Sequence, residues 1–124
     1  EKGGQMSERY TYLKFSKKLR YRILRGYYKQ ENAAIHSALA KQENYNPATV
    51  QRSLEILTQD GLIVCKGTFG YQVKDDYVFI ENERIKETHV AKNQLISGLT
   101  ALGLSKQDIL LLIKKCYVEC ENMN

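Results

Sequence analysis

The chain has 124 residues, enough for one compact domain with a short appendage but too few for a full second ligand-binding domain. Its hydrophobic fraction of 43% is typical of a globular protein, and no apolar run approaches the roughly 20 residues that a membrane-spanning helix requires. The formal net charge is +5, and residues 1–30 carry nine basic side chains against two acidic ones. A polyanion would be attracted to this end of the chain, although a solvated basic helix face is an alternative interpretation.

Three cysteines, Cys65, Cys116 and Cys120, form neither a CxxC motif nor an even set. A secreted disulfide scaffold is therefore disfavoured, and a cytoplasmic protein is expected. Cys116 and Cys120 would share a helix face, but both histidines lie far away in sequence. We interpret the pair as buried structural thiols and predict no metal site and no cofactor.

The first predicted element is a helix over about residues 10–25. Apolar side chains recur at steps of three and four residues, namely Tyr12, Phe15, Leu19 and Ile23. Basic side chains recur at the same steps on a neighbouring face, among them Lys14, Lys18 and Arg22. Gly26 follows at once and is a suitable helix stop.

The next elements have the order of a helix-turn-helix. A short helix is predicted over 33–41, a turn over 43–45, and a second helix from Asn46-Pro47, since Asn is a strong N-cap and Pro fits the first helical position. Its buried stripe is Val50, Leu54 and Leu57, and Gly61 ends it. Its outward face carries Ala48, Thr49, Gln51, Arg52 and Glu55. Gln and Arg can make bidentate contacts to base edges, although any amphipathic helix has a polar outer face.

A β-hairpin is predicted directly after this second helix. Residues 62–65 and 71–73 have strand character, and 66–70 supply turn residues. A hairpin in this position is the wing of a winged helix. Its tip, with Lys66 and Gly70, can approach a DNA backbone closely because glycine has no side chain.

The remaining chain is predicted to be a helical tail. Residues 77–80 have extended character, and a long helix follows over about 84–102, with Gly103 as its stop. Ser105 then caps a last helix, with Asp108 suited to the first turn. The two helices present more apolar surface than they can bury against each other, which indicates a second copy of the chain. The alternative is that the tail folds back on the winged helix of its own chain.

Two segments resemble a known family. The stretch 46–53 (NPATVQRS), followed by Leu57 and by residues 60–63 (DGLI), is similar to the helix-turn-helix of GntR-family regulators, in the form typical of the YtrA-like branch. Residues 102–105 (LGLS), ahead of a short apolar helix, are similar to the reduced C-terminal region of that branch. The resemblance covers about residues 10–115.

The resemblance implies a winged-helix dimer that binds an operator, usually as a repressor. It places the DNA contacts of the recognition helix at Asn46, Thr49, Gln51 and Arg52, and the second glycine of the wing turn at Gly70. The chain departs from the family twice. The phosphate-binding box of the family falls at residues 33–37 but lacks its Arg, and Thr68 takes the place of the first wing glycine.

Together these features predict an α+β, mainly helical fold, with a winged helix-turn-helix over 8–76 and a helical dimerisation tail over 77–124. The expected function is sequence-specific DNA binding by a homodimeric transcription regulator. The alternative is a winged helix for protein–protein assembly. We predict no enzyme, since no nucleophile–base constellation or phosphate loop is present. A small-molecule effector is possible but not evident. The predicted DNA contacts are Asn46, Ala48, Thr49, Gln51, Arg52, Lys66, Thr68, Gly70, Tyr71, Lys14, Lys18 and Arg22.

Overall fold

A computed structural model describes residues 2–28 and 44–123. The chain divides into two compact units, Glu1–Arg84 and Ile85–Asn124. The helix predicted over 33–41 and the phosphate-box positions 33–37 lie outside the described residues. The predicted domain boundary between 76 and 77 stays a prediction.

Helix α1 spans Lys2–Leu24 and begins well before the predicted start near residue 10. The apolar stripe that predicted the helix begins only at Tyr12, so it gave no indication of the polar turns that precede it. Phe15, Leu19 and Ile23 are buried as predicted. The helix ends two residues before Gly26, as its stop position predicted.

Helix α2 spans Pro47–Gln59 and starts as the sequence predicts. The side-chain oxygen of Asn46 accepts a hydrogen bond of 2.8 Å from the backbone N–H of Ala48, which satisfies one of the donors left open in the first turn. The predicted stripe of Val50, Leu54 and Leu57 is buried. Gly61 follows the helix with φ of +79°, a conformation that favours glycine.

Strands β1 (Ile63–Cys65) and β2 (Tyr71–Val73) form the predicted antiparallel hairpin. Ile63 pairs with Val73 and Cys65 with Tyr71. One turn of 3₁₀ helix, Gly67–Phe69, fills the connection, and the backbone N–H of Lys66 donates to the carbonyl oxygen of Gly70 at 2.7 Å. The hairpin is therefore closed by backbone bonds at its tip.

Residues 77–80 are helical, so the predicted extended run is wrong. Helix α3 spans Tyr77–Ala101. Asp76 caps it, because its carboxylate accepts from the backbone N–H of Phe79 at 3.0 Å and its carbonyl oxygen accepts from that of Ile80 at 3.1 Å. Phe79 and Ile80 also pack against the core of the first unit. The cap and this packing outweigh the β-preference of the segment.

One hydrophobic core joins α1, α2 and the start of the hairpin. Its buried members are Phe15, Leu19, Ile23, Leu24, Val50, Leu54, Leu57, Leu62 and Ile63. Tyr45 closes one side with its ring centroid 4.4 Å from that of Phe15. Burial of each large side chain contributes about 1.5–3 kcal/mol, so this cluster fixes α2 and the wing on α1.

The second unit contains the rest of α3 and helix α4, which spans Lys106–Met123. The predicted cap is present as a reciprocal pair, because the N–H of Asp108 donates to Ser105 Oγ at 3.2 Å and the N–H of Ser105 donates to Asp108 Oδ2 at 2.9 Å. These bonds from Ser105 hold the pKa of Asp108 below its usual value.

Both cysteines of α4 are exposed, so their interpretation as buried thiols is wrong for this single chain. The apolar residues of α4 are spread around the helix, and most of its circumference stays uncovered. Among the described residues no single helix is long and apolar enough to cross a membrane. Within the described part of the chain, one pair of helices, Tyr77–Ala101 and Lys106–Glu121, meets the length and composition requirements when the two are counted together, and this pair is bent by 118°.

Candidate nucleic-acid interface

The outward surface of α2 carries the polar side chains that the sequence singled out. Ala48, Gln51 and Arg52 are exposed, and Thr49 is half-buried. Asn46 is exposed as well, but its side-chain oxygen is occupied by the cap. A DNA contact from Asn46 would therefore use its amide N–H groups, whereas Gln51 and Arg52 present long side chains from the second turn of the helix.

Gln51 is held by the wing. Its Nε2 donates a hydrogen bond of 3.2 Å to the hydroxyl of Tyr71, the first residue of β2. Tyr71 is half-buried and its ring packs against the core. The structure thus brings together two predicted site residues that are 20 positions apart in sequence.

Arg52 is held from the other side by α1. Its guanidinium carbon lies 5.3 Å from the ring centroid of Tyr12, a cation–π geometry. Tyr12 was predicted only as part of the apolar stripe of α1, and its contact with Arg52 was missed. Nothing in the sequence marks this contact, because it depends on how α1 and α2 cross.

The tip of the wing combines a cation with an exposed aromatic ring. Lys66 and Thr68 are exposed, and Phe69 is 73% exposed. Gly70 has φ of +85° and ψ of −146°, a region that only glycine adopts readily. The turn pattern of residues 66–70 accounted for Phe69 only as a turn residue, although an aromatic residue between two turn glycines is itself an indication of a contact surface.

The basic side chains of α1 differ in their surroundings. Lys14 and Lys18 are exposed, whereas Arg22 is half-buried and lies 5.5 Å from the ring centroid of Tyr27. Arg25 approaches the same ring at 5.3 Å. The end of α1 therefore gathers two guanidinium groups around one aromatic ring, and the predicted basic face continues to the end of the helix.

An ion pair ties α1 to the end of α2. Arg20 donates to the carboxylate of Asp60, the C-cap residue of α2. This places one acidic group beside α1 and compensates the charge of Arg20. Arg20 is therefore a structural link between the two helices.

A cavity of about 710 Å³ lies within the first unit, between the end of α1, the residues after β2 and the first turns of α3. Its charged residues are largely paired or engaged. Arg84 donates two hydrogen bonds to Glu81, which raises the pKa of Arg84, and Asp76 caps α3. The volume is in the range of ligand sites. Its balanced charge, however, selects no class of ligand.

Within residues 2–28 and 44–123, no group of three or more His, Cys, Asp or Glu side chains is arranged to hold a metal ion. The chemistry that this surface offers is hydrogen bonding and positive charge, from α2, the wing and α1.

No protein-family model and no curated protein matches the chain. Solved structures are similar over most of it, among them the following two. A GntR family transcriptional regulator from Listeria monocytogenes is 24% identical with a TM-score of 0.75, and the match covers 84% of this chain and 92% of that one. A transcriptional regulator from Oenococcus oeni is 18% identical with a TM-score of 0.61, and the match covers 86% and 89%. The chain has the fold of these two regulators. The predicted winged-helix fold is thereby confirmed.

Proposed function

We propose that this chain is a GntR-type transcription regulator that binds a specific DNA operator through α2 and the wing. The observation that carries the proposal is the pair of exposed side chains, Gln51 and Arg52, near the start of a capped helix and each held by a neighbouring element. The N-terminal part of a recognition helix enters the major groove, where these two residue types read base edges or hold phosphates. The two similar structures, both of transcriptional regulators, support the same class.

The proposed contact surface has three parts. The recognition helix supplies Asn46, Ala48, Thr49, Gln51 and Arg52. The wing supplies Lys66, Thr68 and Gly70, to which we add the exposed Phe69, because an apolar side chain at such a tip can pack in the minor groove. The hydroxyl of Tyr71, also predicted as a contact, accepts a hydrogen bond from Gln51, so Tyr71 supports this surface through Gln51. Helix α1 supplies Lys14, Lys18 and Arg22 for phosphate contacts.

We propose further that the second unit pairs two copies of the chain. Its large apolar side chains are exposed in the single chain, among them Leu95, Leu102, Leu110, Leu111, Tyr117 and Val118. An apolar surface of this kind needs a partner, and a symmetric dimer is the commonest one. A dimer would present two recognition helices to two half-sites and act as a repressor in the cytoplasm.

The test is fluorescence polarisation with duplexes enriched by the protein from a random library, measured at two salt concentrations. We expect the enriched duplex to bind at least 1000-fold more tightly than a scrambled duplex at physiological salt, as is typical of specific regulators. If the two duplexes bind with equal affinity that falls strongly with salt, the protein binds DNA without sequence specificity. No binding to either would favour the alternative, a winged helix for protein–protein assembly.

A further inference from the structure

The hydrogen bond between Gln51 and Tyr71 lets a residue of the wing orient a side chain of the recognition helix. Gln51 is exposed on α2, and its Nε2 lies 3.2 Å from the hydroxyl oxygen of Tyr71. The ring of Tyr71 packs against the hydrophobic core, and its backbone is paired with Cys65 across the hairpin. The packing of the ring and the pairing of the backbone therefore fix the position of the Tyr71 hydroxyl, and Gln51 is the flexible partner of the hydrogen bond.

This contact restricts Gln51 but leaves it able to read a base. The side-chain amide has two N–H donors and one carbonyl acceptor. One N–H is directed to Tyr71, so one N–H and the carbonyl oxygen remain. An untethered glutamine would have to lose its rotamer freedom on binding, whereas this one has already lost part of it.

The groups that remain on Gln51 match one base. The major-groove edge of adenine offers an acceptor at N7 and a donor at N6, and an amide with one N–H and one carbonyl oxygen free can pair with both. Guanine offers two acceptors, and cytosine offers one donor, so neither uses both groups. A fixed amide orientation would thus favour adenine at one position of each half-site.

We propose that Tyr71 is a positioning residue that fixes the amide of Gln51 for adenine. The proposal rests on the proposed function of DNA binding and assigns Tyr71 a role distinct from a direct phosphate contact. Tyr71 acts through Gln51, so removal of its hydroxyl should change which base is preferred and leave the affinity for DNA in general unaltered.

The experiment uses the full chain and a duplex library with a random central region. Wild-type protein and Tyr71→Phe each enrich a site, and the affinities for the four bases are then compared at each position. We expect wild type to prefer adenine at one position of the half-site by about 5- to 150-fold, the range of a good bidentate contact. Tyr71→Phe should reduce this preference to about threefold or less, with unchanged affinity for a scrambled duplex.

Two further variants separate positioning from other roles. In the Gln51→Ala background, Tyr71→Phe should have no further effect on base preference, because the side chain that it positions is gone. Tyr77→Phe, which removes the hydroxyl of an exposed tyrosine at the start of α3, outside the proposed DNA and dimer surfaces, is the matched control and should match wild type. The melting temperature of each variant checks that the fold is intact.

The outcomes distinguish the two proposals. If Tyr71→Phe weakens the enriched and the scrambled duplex equally, Tyr71 binds a phosphate and the positioning role is overturned. If wild type enriches a site but Tyr71→Phe keeps every base preference, the positioning role alone is overturned and the DNA-binding function stands. If wild type enriches no site, both proposals fail.

Discussion

The hydroxyl of Ser53 donates a hydrogen bond to the carbonyl oxygen of Tyr12 at 3.0 Å, which joins α2 to α1 across 41 positions of sequence. Ser53 is fully buried, and its Oγ also lies 2.9 Å from the carbonyl oxygen of Thr49. A small side chain at this position lets the two helices approach closely. The contact lies one residue from Arg52, so it also fixes where α2 presents its outward face.

We predict that Ser53→Val destabilises the protein by about 1–3 kcal/mol, because added methyl groups overpack a closed helix contact. Ser53→Ala should cost about 1 kcal/mol or less, since the carbonyl of Tyr12 also accepts from Ser16 Oγ at 2.6 Å. Urea denaturation measures both. Thr58→Val is the control, because the Thr58 hydroxyl bonds within α2 to the carbonyl of Leu54. A Ser53→Val variant as stable as this control would contradict the proposed role of the contact.

The sequence predicted those features of the fold that local chemistry determines. The start of α2 follows from Asn46-Pro47, the start of α4 from Ser105 and Asp108, and the hairpin from its turn residues. The prediction of an extended conformation for residues 77–80 was wrong, because β-branched and aromatic residues favour a strand when only local propensities are considered. The cap at Asp76 and the burial of Phe79 and Ile80 are contacts that only the folded chain supplies.

The residues of the candidate site could be predicted from the sequence, but the contacts between them could not. Outward positions on α2 follow from helical periodicity, so Gln51 and Arg52 could be named from the sequence. Their partners could not, because Tyr71 lies on the wing and Tyr12 on α1. Each contact depends on the packing of two elements, and no spacing rule along the chain predicts such packing.

The ring of Tyr12 beside Arg52 predicts a phosphate contact for this arginine. The ring holds the guanidinium beside α1, whereas Gln51 is bonded to the wing. Arg52→Ala should therefore weaken binding to enriched and scrambled duplexes by the same factor. Tyr12→Leu should weaken both about two- to fivefold, the equivalent of an exposed cation–π contact, and Tyr12→Phe should match wild type. A loss confined to the enriched duplex would mean that Arg52 reads a base.

The basic face of α1 predicts a salt-dependent contribution to affinity that is independent of sequence. Replacing Lys14, Lys18 and Arg22 by Gln should weaken binding to all duplexes and flatten the plot of log affinity against log salt. Each lost phosphate contact removes about 0.9 from the slope. The matched control replaces Lys86, Lys92 and Lys115 of the second unit by Gln, with the same change in net charge. If both triple variants give the same slope, the effect is one of net charge and not of contacts.

The lowered pKa of Asp108 predicts a loss of stability in acid at the start of α4. Bonds from the N–H and hydroxyl of Ser105 favour the ionised carboxylate. The stabilisation is therefore fully present above the ordinary pKa of 3.8 and is lost as the pH falls through the lowered pKa of the folded state. A carbon-detected NMR titration of Asp108 measures this directly. Ser105→Ala keeps the backbone N–H bond, which is the larger cause, and removes the hydroxyl, so it should raise the pKa of Asp108 only part of the way towards 3.8. An unchanged pKa would mean that the hydroxyl of Ser105 contributes nothing to the lowered value.

The exposed apolar residues of α4 predict that one charged substitution separates the copies of the chain. Leu110 is 59% exposed and Tyr117, two turns later on the same face, is 70% exposed. If this face is buried between two copies, Leu110→Lys places an ammonium group in an apolar interface without a partner. The cost is several kcal/mol per copy, enough to shift a dimer to monomer at micromolar concentration.

Sedimentation equilibrium on the full chain measures this shift. Glu119→Gln is the control, because it changes the net charge by the same amount and lies about 180° around α4 from Leu110. We expect wild type and Glu119→Gln to be dimers and Leu110→Lys to be a monomer with an unchanged melting profile of its first unit. The monomer should also lose affinity for a palindromic duplex but keep its affinity for a single half-site, because only the dimer engages two half-sites at once. A dimeric Leu110→Lys variant would mean that this face of α4 lies outside the interface.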